Sequence, residues 1–132
     1  MVLLRMVRVF LQVILFCRLA DVLLMIAEAK NALIQDPSTE INQVRQRAYG
    51  TSYSSHIFTS GTPAQNDAAI LKERLLELTF ESKRWYDLVR FGKAFDLVPT
   101  LQGRSAQTHL LYWPIGAETR TKEPLVTETT GW

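Results

Sequence analysis

From Arg18 to Ile34 apolar side chains fall at Leu19, Val22, Leu23, Ile26, Ala27 and Leu33, the i, i+3, i+4, i+7 spacing that an α-helix gathers onto one side. A strand repeats every two residues, so this period commits the chain to a helix around which the rest must be arranged. Gln35-Asp36-Pro37-Ser38 is expected to stop it, because Pro37 disfavours helical dihedrals at Asp36, and Ser38 or Thr39 can cap a second helix through its hydroxyl. Ile41, Val44 and Ala48 line one face of that shorter helix, and Gly50 stands where a left-handed terminal residue is wanted. An antiparallel hairpin is predicted over residues 18–50.

Residues 51–66 (TSYSSHIFTSGTPAQN) are rich in Ser, Thr, Gly and Pro, show no sustained period, and read as a loop. Asn66 then caps a third helix with Leu71, Leu75 and Leu78 on one face, broadened by Leu76 and Phe80, a face wide enough to be buried on both flanks. The phase shifts at Ser82-Lys83, and Arg84 to Ala94 predicts a fourth helix with Trp85, Leu88 and Val89 inward, closing a second hairpin over 67–94. Across 95–132, Pro99, Gly103, Pro114, Gly116, Pro124 and Gly131 punctuate short apolar runs, which predicts an extended tail packed on the helices. The fold class expected is all-α: tetratricopeptide-like helical hairpins with an irregular carboxy-terminal tail. Repeat architectures need about three units to bury a continuous core, so two hairpins point to further upstream sequence.

Composition narrows the function. Fifteen Lys and Arg against 13 Asp and Glu, with the signs interspersed, give no strong field for a phosphate backbone, so no nucleic-acid partner is expected. Cys17 is the one cysteine; it cannot form an internal disulfide, nor complete a zinc set with two distant histidines, and it reads as a small buried hydrophobe. Residues 1–17 form an apolar amino-terminal segment. The run between Arg8 and Arg18 is nine residues interrupted by Gln12, against the roughly 20 needed to span a membrane. Phe16 before Cys17 fits neither a secretory nor a lipoprotein cleavage site. A strand or helix buried by other parts of a larger protein is the alternative.

Glu73, Glu77 and Glu81 recur at i, i+4 and i+8, placing three carboxylates in line on the third helix, where they repel unless cations intervene. Arg74, Arg84, Asp87 and Arg90 form a following set, and Arg45 and Arg47 can reach across from the second helix. Two readings stand: a structural charge network tying the hairpins together, or a paired-carboxylate acid/base site using Glu77 and Glu81. The network is the expectation, since no pocket accompanies the pair. His56 and His109 lie in loops without a metal-ligand or nucleophile partner, and no glycine-rich phosphate loop occurs, so no catalytic residue, metal or cofactor is expected. Trp85, Tyr86 and Phe91 at helical spacing read as core rather than a sugar-stacking platform. Tyr53, Phe58, Tyr112 and Trp113 lie in loops and are the better candidates for ligand contact.

Four segments, in order, together resemble the carboxy-terminal part of the RagB/SusD family of outer-membrane nutrient-binding lipoproteins: RLADVLLMIAEAKN (Arg18–Asn31), INQVRQRAY (Ile41–Tyr49), ERLLELTFESKRWYDLVRFGKA (Glu73–Ala94) and LLYWPIGAETRTKEPLVTETTGW (Leu110–Trp132). The third is the most diagnostic. Ser82 replaces the family's usual Gly, Gly116 a common Pro, and Thr130 the Pro of an N-P-G ending. A residue other than Gly is strained at position 82 if the turn needs a positive φ. The resemblance implies a carboxy-terminal fragment of a non-catalytic, surface-exposed outer-membrane protein that captures glycans or other nutrients with a TonB-dependent transporter. The lipid anchor would sit on a residue outside this chain. A small independent helical-repeat scaffold binding a protein partner is the alternative.

Overall fold

The computed structural model describes residues 17–132, so the apolar run before Cys17 and its possible roles lie outside the described residues. Six α-helices, α1 (Leu19–Ala32), α2 (Ser38–Tyr49), α3 (Pro63–Glu77), α4 (Arg84–Arg90), α5 (Ala94–Leu97) and α6 (Ala117–Lys122), are joined by turns and three short 3-10 segments, with no strand among the described residues. The all-α architecture is therefore as expected. α1 lies between α2 and α3 and packs on both, while α3 also meets α4.

The side of α1 that is buried differs from the one its strongest apolar stripe suggests. Ala20, Asp21, Leu24, Ala27 and Asn31 are buried, whereas Leu19, Val22, Ile26 and Leu33 are exposed. Two polar residues are turned inward because each finds a partner there. Leu24 and Ile41 are fully enclosed, and Ile70 joins Ala27 and Ile41 where α1, α2 and α3 meet. Burying a side chain of this size contributes roughly 1.5–3 kcal/mol. A separate cluster of Leu71, Leu88, Ala94 and Leu101 joins α3 to α4, α5 and the tail, with Trp85, Phe91, Phe95, Leu110 and Leu111 packed around it.

Element ends depart from expectation for local reasons. α1 stops at Ala32, before Pro37 acts: the Gln35 N–H reaches Lys30 O (2.8 Å) and the Ile34 N–H reaches Asn31 O (3.0 Å), a Schellman closure with Ile34 at φ +57°. α4 closes in the same way through Lys93 and Leu88 (2.7 Å), but there Gly92 takes the positive φ. Neither Ser38 nor Thr39 caps α2; Asp36 Oδ1 accepts the Ser38 N–H at 2.8 Å instead. α3 starts at Pro63, with Thr62 and Gln65 forming a capping box, so Asn66 is inside the helix and buried rather than its cap.

The wide apolar face expected of α3 is split. The helix ends at Glu77, Leu71 and Leu78 are buried, and Leu75, Leu76 and Phe80 are exposed. Phe80 (φ +67°) and Ser82 (φ +57°) hold the turn into α4, so the conformation that favours Gly does fall on Ser82. Ala48 is exposed on α2, and Gly50 has a positive φ (+52°) but, with ψ at −122°, is not in the left-handed helical conformation and caps α2 itself rather than following the cap. α5 is separate from α4, and the tail is a succession of short helical turns rather than extended chain. Cys17 is exposed, not buried.

Candidate functional site

Two constellations emerge: an ionic spine between the helices and an aromatic cleft under the tail. The spine begins with Arg74 on α3, whose side chain is only 3% exposed. Its Nε donates to Asp87 Oδ1 on α4 at 2.8 Å, and its Nη1 lies 2.9 Å from Asp21 Oδ1 on α1, an ion pair without the alignment of a hydrogen bond. Lys83 approaches Asp21 Oδ2 at 3.2 Å, and Arg90 joins Asp87 (3.1 Å) to Glu28 (2.8 Å). Burial pushes the Asp21 carboxyl up, but the neighbouring positive groups Lys83 and Arg74 outweigh this and hold it below its ordinary value. Arg74 loses basicity by burial and regains more from Asp87 and Asp21, so its pKa is raised.

The three aligned glutamates are each met by a cation. Arg45 on α2 contacts Glu73 (2.5 Å), Arg47 contacts Glu77 (2.5 Å), and Arg18 pairs with both Glu77 and Glu81, the latter at 2.8 Å. Arg84 enters differently, donating to the Leu71 carbonyl at 3.1 Å. Burial raises the Glu77 pKa, while Arg18 and Arg47 lower it by more, and the net shift is downward. A general acid needs the opposite shift. Glu77 and Glu81 share the Arg18 guanidinium, and Arg47 adds a second cation at Glu77.

Charge periodicity drew attention to Glu73, Arg74, Glu77, Glu81, Arg84, Asp87 and Arg90, but left out Arg18, Asp21, Glu28 and Lys83. The signal was available in the R-x-x-D start of α1, where Asp21 breaks the apolar stripe. A buried amide pair was also missed: Asn66 Nδ2 donates to Asn31 Oδ1 (3.0 Å) and Ser60 Oγ (3.0 Å), and Asn31 donates to the Pro63 carbonyl (2.9 Å). These bonds pin the end of α1 to the start of α3.

The loop candidates separate in space. Phe58 packs on Ala27, Ile41 and Ile70, lies under the Arg45 guanidinium, and has its backbone N–H and carbonyl bonded by Asn42 (2.7 and 2.9 Å), so it is part of the core rather than open to a ligand. Tyr53 is half-buried in the 3-10 segment Gly50–Ser55, near the stacked pair Tyr49 and His56 (3.8 Å between centroids). Tyr112 and Trp113 are exposed and share a cleft of about 520 Å³ with Trp85, Leu110, Leu111, Pro114 and Trp132. Trp85 and Phe91 are half-buried on the core as expected of helix aromatics, whereas Tyr86 is exposed.

The tail builds the cleft by folding back. Glu128 accepts the Ile115 N–H through both carboxylate oxygens (3.1 Å each). The Trp132 indole N–H reaches His109 O at 3.2 Å, and the Trp132 ring meets the His109 imidazole edge-on at 5.2 Å. His109 is therefore engaged rather than free on the surface. Gly131 is required here: its φ is +111°, and a Cβ would fall 2.4 Å from His109 Nδ1. Among the described residues no helix is long and apolar enough to cross a membrane, and no group of three His, Cys, Asp or Glu is placed to hold a metal ion.

Comparison with known proteins agrees with this architecture. The solved structure of B. fragilis NanU superposes with a TM-score of 0.67 at 38% identity, covering 88% of this chain and 26% of that one. Of two similar proteins from Formosa agariphila, SusD-like protein P25 is 42% identical over 91 residues (66% of this chain, 17% of its own length). SusD-like protein P38 is 34% identical over 109 residues (78% of this chain, 21% of its own length). The chain thus spans about one fifth of the length of these relatives. The SusD family model matches residues 12–129, nearly the whole sequence, and the chain belongs to the SusD family.

Proposed function

We propose that this chain is part of a non-catalytic glycan- or nutrient-binding protein of the bacterial outer membrane, acting with a TonB-dependent transporter and anchored by a lipid on a residue outside the chain. The observation that carries this reading is the family match over residues 12–129, because SusD-like proteins serve glycan binding in nutrient uptake. The ionic spine supports the same role. Charges that are paired and partly buried suit a scaffold and are poorly placed for proton transfer. In this reading Glu73, Arg74, Glu77, Glu81, Arg84, Asp87 and Arg90 hold the helices, and Tyr112 and Trp113 are the aromatics offered to ligand.

A glycan microarray probed with the fluorescently labelled chain tests the reading. Saturable binding to at least one glycan class, abolished by heat denaturation, is expected; a folded chain that binds no glycan contradicts it. The exposed strip of Leu19, Val22, Met25 and Ile26 on α1 favours a second reading, a helical-repeat scaffold for a protein partner. Under it, an array without signal would accompany a defined stoichiometric protein complex.

A further inference from the structure

From Arg18 through Arg90, every arginine but Arg84 meets a carboxylate: Arg18 meets Glu77 and Glu81, Arg45 meets Glu73, Arg47 meets Glu77, Arg74 meets Asp21 and Asp87, and Arg90 meets Glu28 and Asp87. Arg84 is half-buried and donates from Nη1 to the Leu71 carbonyl, but no carboxylate among the described residues pairs with it. The acids of the spine at this corner, Asp21, Asp87 and Glu28, are already held by Arg74, Lys83 and Arg90. The corner therefore carries one positive charge in excess, on a guanidinium partly withdrawn from water, and such a charge is costly without a counter-charge.

Arg84 borders a hollow of about 440 Å³ at the turn from α3 to α4, shared with Leu75, Leu78, Phe80, Ser82 and Lys83. That volume lies within the roughly 300–1,000 Å³ range of small-molecule sites. Lys83 adds positive charge beside it, and the exposed Ser82 hydroxyl has no partner among the described residues. Phe80 and Ser82 both take a positive φ, a strained backbone of the kind that gathers where ligands are clamped. A planar guanidinium matches the two oxygens of a carboxylate, and a surplus of one charge is balanced by a monoanion. We propose that this hollow is a carboxylate site, in which Arg84 pairs with one carboxylate whose apolar stem lies against Leu75 and Phe80. The acid belongs either to a side chain of the polypeptide outside this chain or to a free organic acid; both present the same monoanion, and the test separates them.

The test follows the arginine Nε–Hε signals of the full chain by nuclear magnetic resonance. The probes are 4-phenylbutyrate, its neutral counterpart 4-phenylbutanol, and the blocked peptides acetyl-Leu-Glu-Leu-amide and acetyl-Leu-Gln-Leu-amide. Arg84→Gln assigns the signal and removes the site, with circular dichroism to check folding; if that variant does not fold, Arg84→Lys keeps the charge without the fork and serves in its place. Arg104, exposed and bonded to Gln107 rather than to a carboxylate, is the reference for unspecific screening. Supporting the proposal, phenylbutyrate or the Glu peptide shifts the Arg84 signal saturably, the neutral counterparts do not, and the Arg84 variant binds about tenfold or more weakly. Tighter binding of the Glu peptide assigns the acid to a protein side chain, and tighter binding of phenylbutyrate to a free acid; either order supports the site. An Arg84 signal that moves no more than that of Arg104, or that moves equally with 4-phenylbutanol, overturns it.

Discussion

Replacing Arg74 by Met removes the cation shared by Asp21 and Asp87, whose side chains are 4% and 3% exposed. Taking one partner from a buried ion pair typically costs about 3–5 kcal/mol, because the remaining charge stays desolvated. Here Lys83 still approaches Asp21 at 3.2 Å and Arg90 still approaches Asp87 at 3.1 Å, which places the expected loss near the lower bound, about 3 kcal/mol. At roughly 4 °C per kcal/mol for a domain of this size, Tm should fall by about 12 °C at neutral pH. The assay is denaturant and thermal unfolding followed by circular dichroism, at neutral pH and again in acid. Protonated aspartates no longer need the guanidinium, so the gap between parent and variant should narrow in acid. If Arg74→Met does not fold, Arg74→Lys keeps a charge but gives up the forked geometry, with an expected loss of about 1.5–3 kcal/mol. A loss below about 1 kcal/mol, or the same loss at both pH values, would refute the reasoning, since neither fits a buried pair.

Ile34→Gly and Ser82→Gly should each stabilise the chain by about 0.5–1 kcal/mol in urea unfolding, as relief of left-handed strain exceeds the entropic cost of glycine. Unfolding of either variant at a lower urea midpoint would contradict those backbone assignments. The parent should lose stability as pH falls below about 4, because Asp21 and Glu77 titrate lower folded than unfolded, so the unfolded chain takes up protons first. Glu28, raised mainly by burial, acts in the opposite sense, its contribution fading as pH rises through its folded value, and should only soften the decline. Asn66→Ala leaves Asn31 Oδ1 and the Gly61 N–H without their partner and should cost about 1–3 kcal/mol by chemical denaturation; a neutral result would show that water replaces the amide.

The helices were legible because the 3.6-residue period survives in the sequence around α1 and α3, but the phase of α1 was not. Leu19, Val22 and Ile26 make the stronger apolar stripe, yet the buried side carries Asp21 and Asn31. Their burial depends on Arg74, Lys83, Pro63 and Asn66, more than 30 residues away, and no local pattern records such partners. The same blindness moved the start of α3: Asn66 resembles a cap, whereas Thr62, Pro63 and Gln65 supply the full signature a turn earlier. Among the loop aromatics, Tyr112 and Trp113 border the cleft, whereas Phe58 packs on the Ala27, Ile41 and Ile70 core, a difference their loop positions do not record. Trp132 escaped notice because its place in the cleft is set by Glu128 and His109 folding the tail back.

The most direct test of the whole account is a crystal structure of the chain soaked with a saccharide identified on the array. The account predicts a saccharide ordered against Tyr112 and Trp113, with the Arg74 spine unchanged. A saccharide ordered anywhere else on the chain, with the cleft filled by its own side chains, would contradict it.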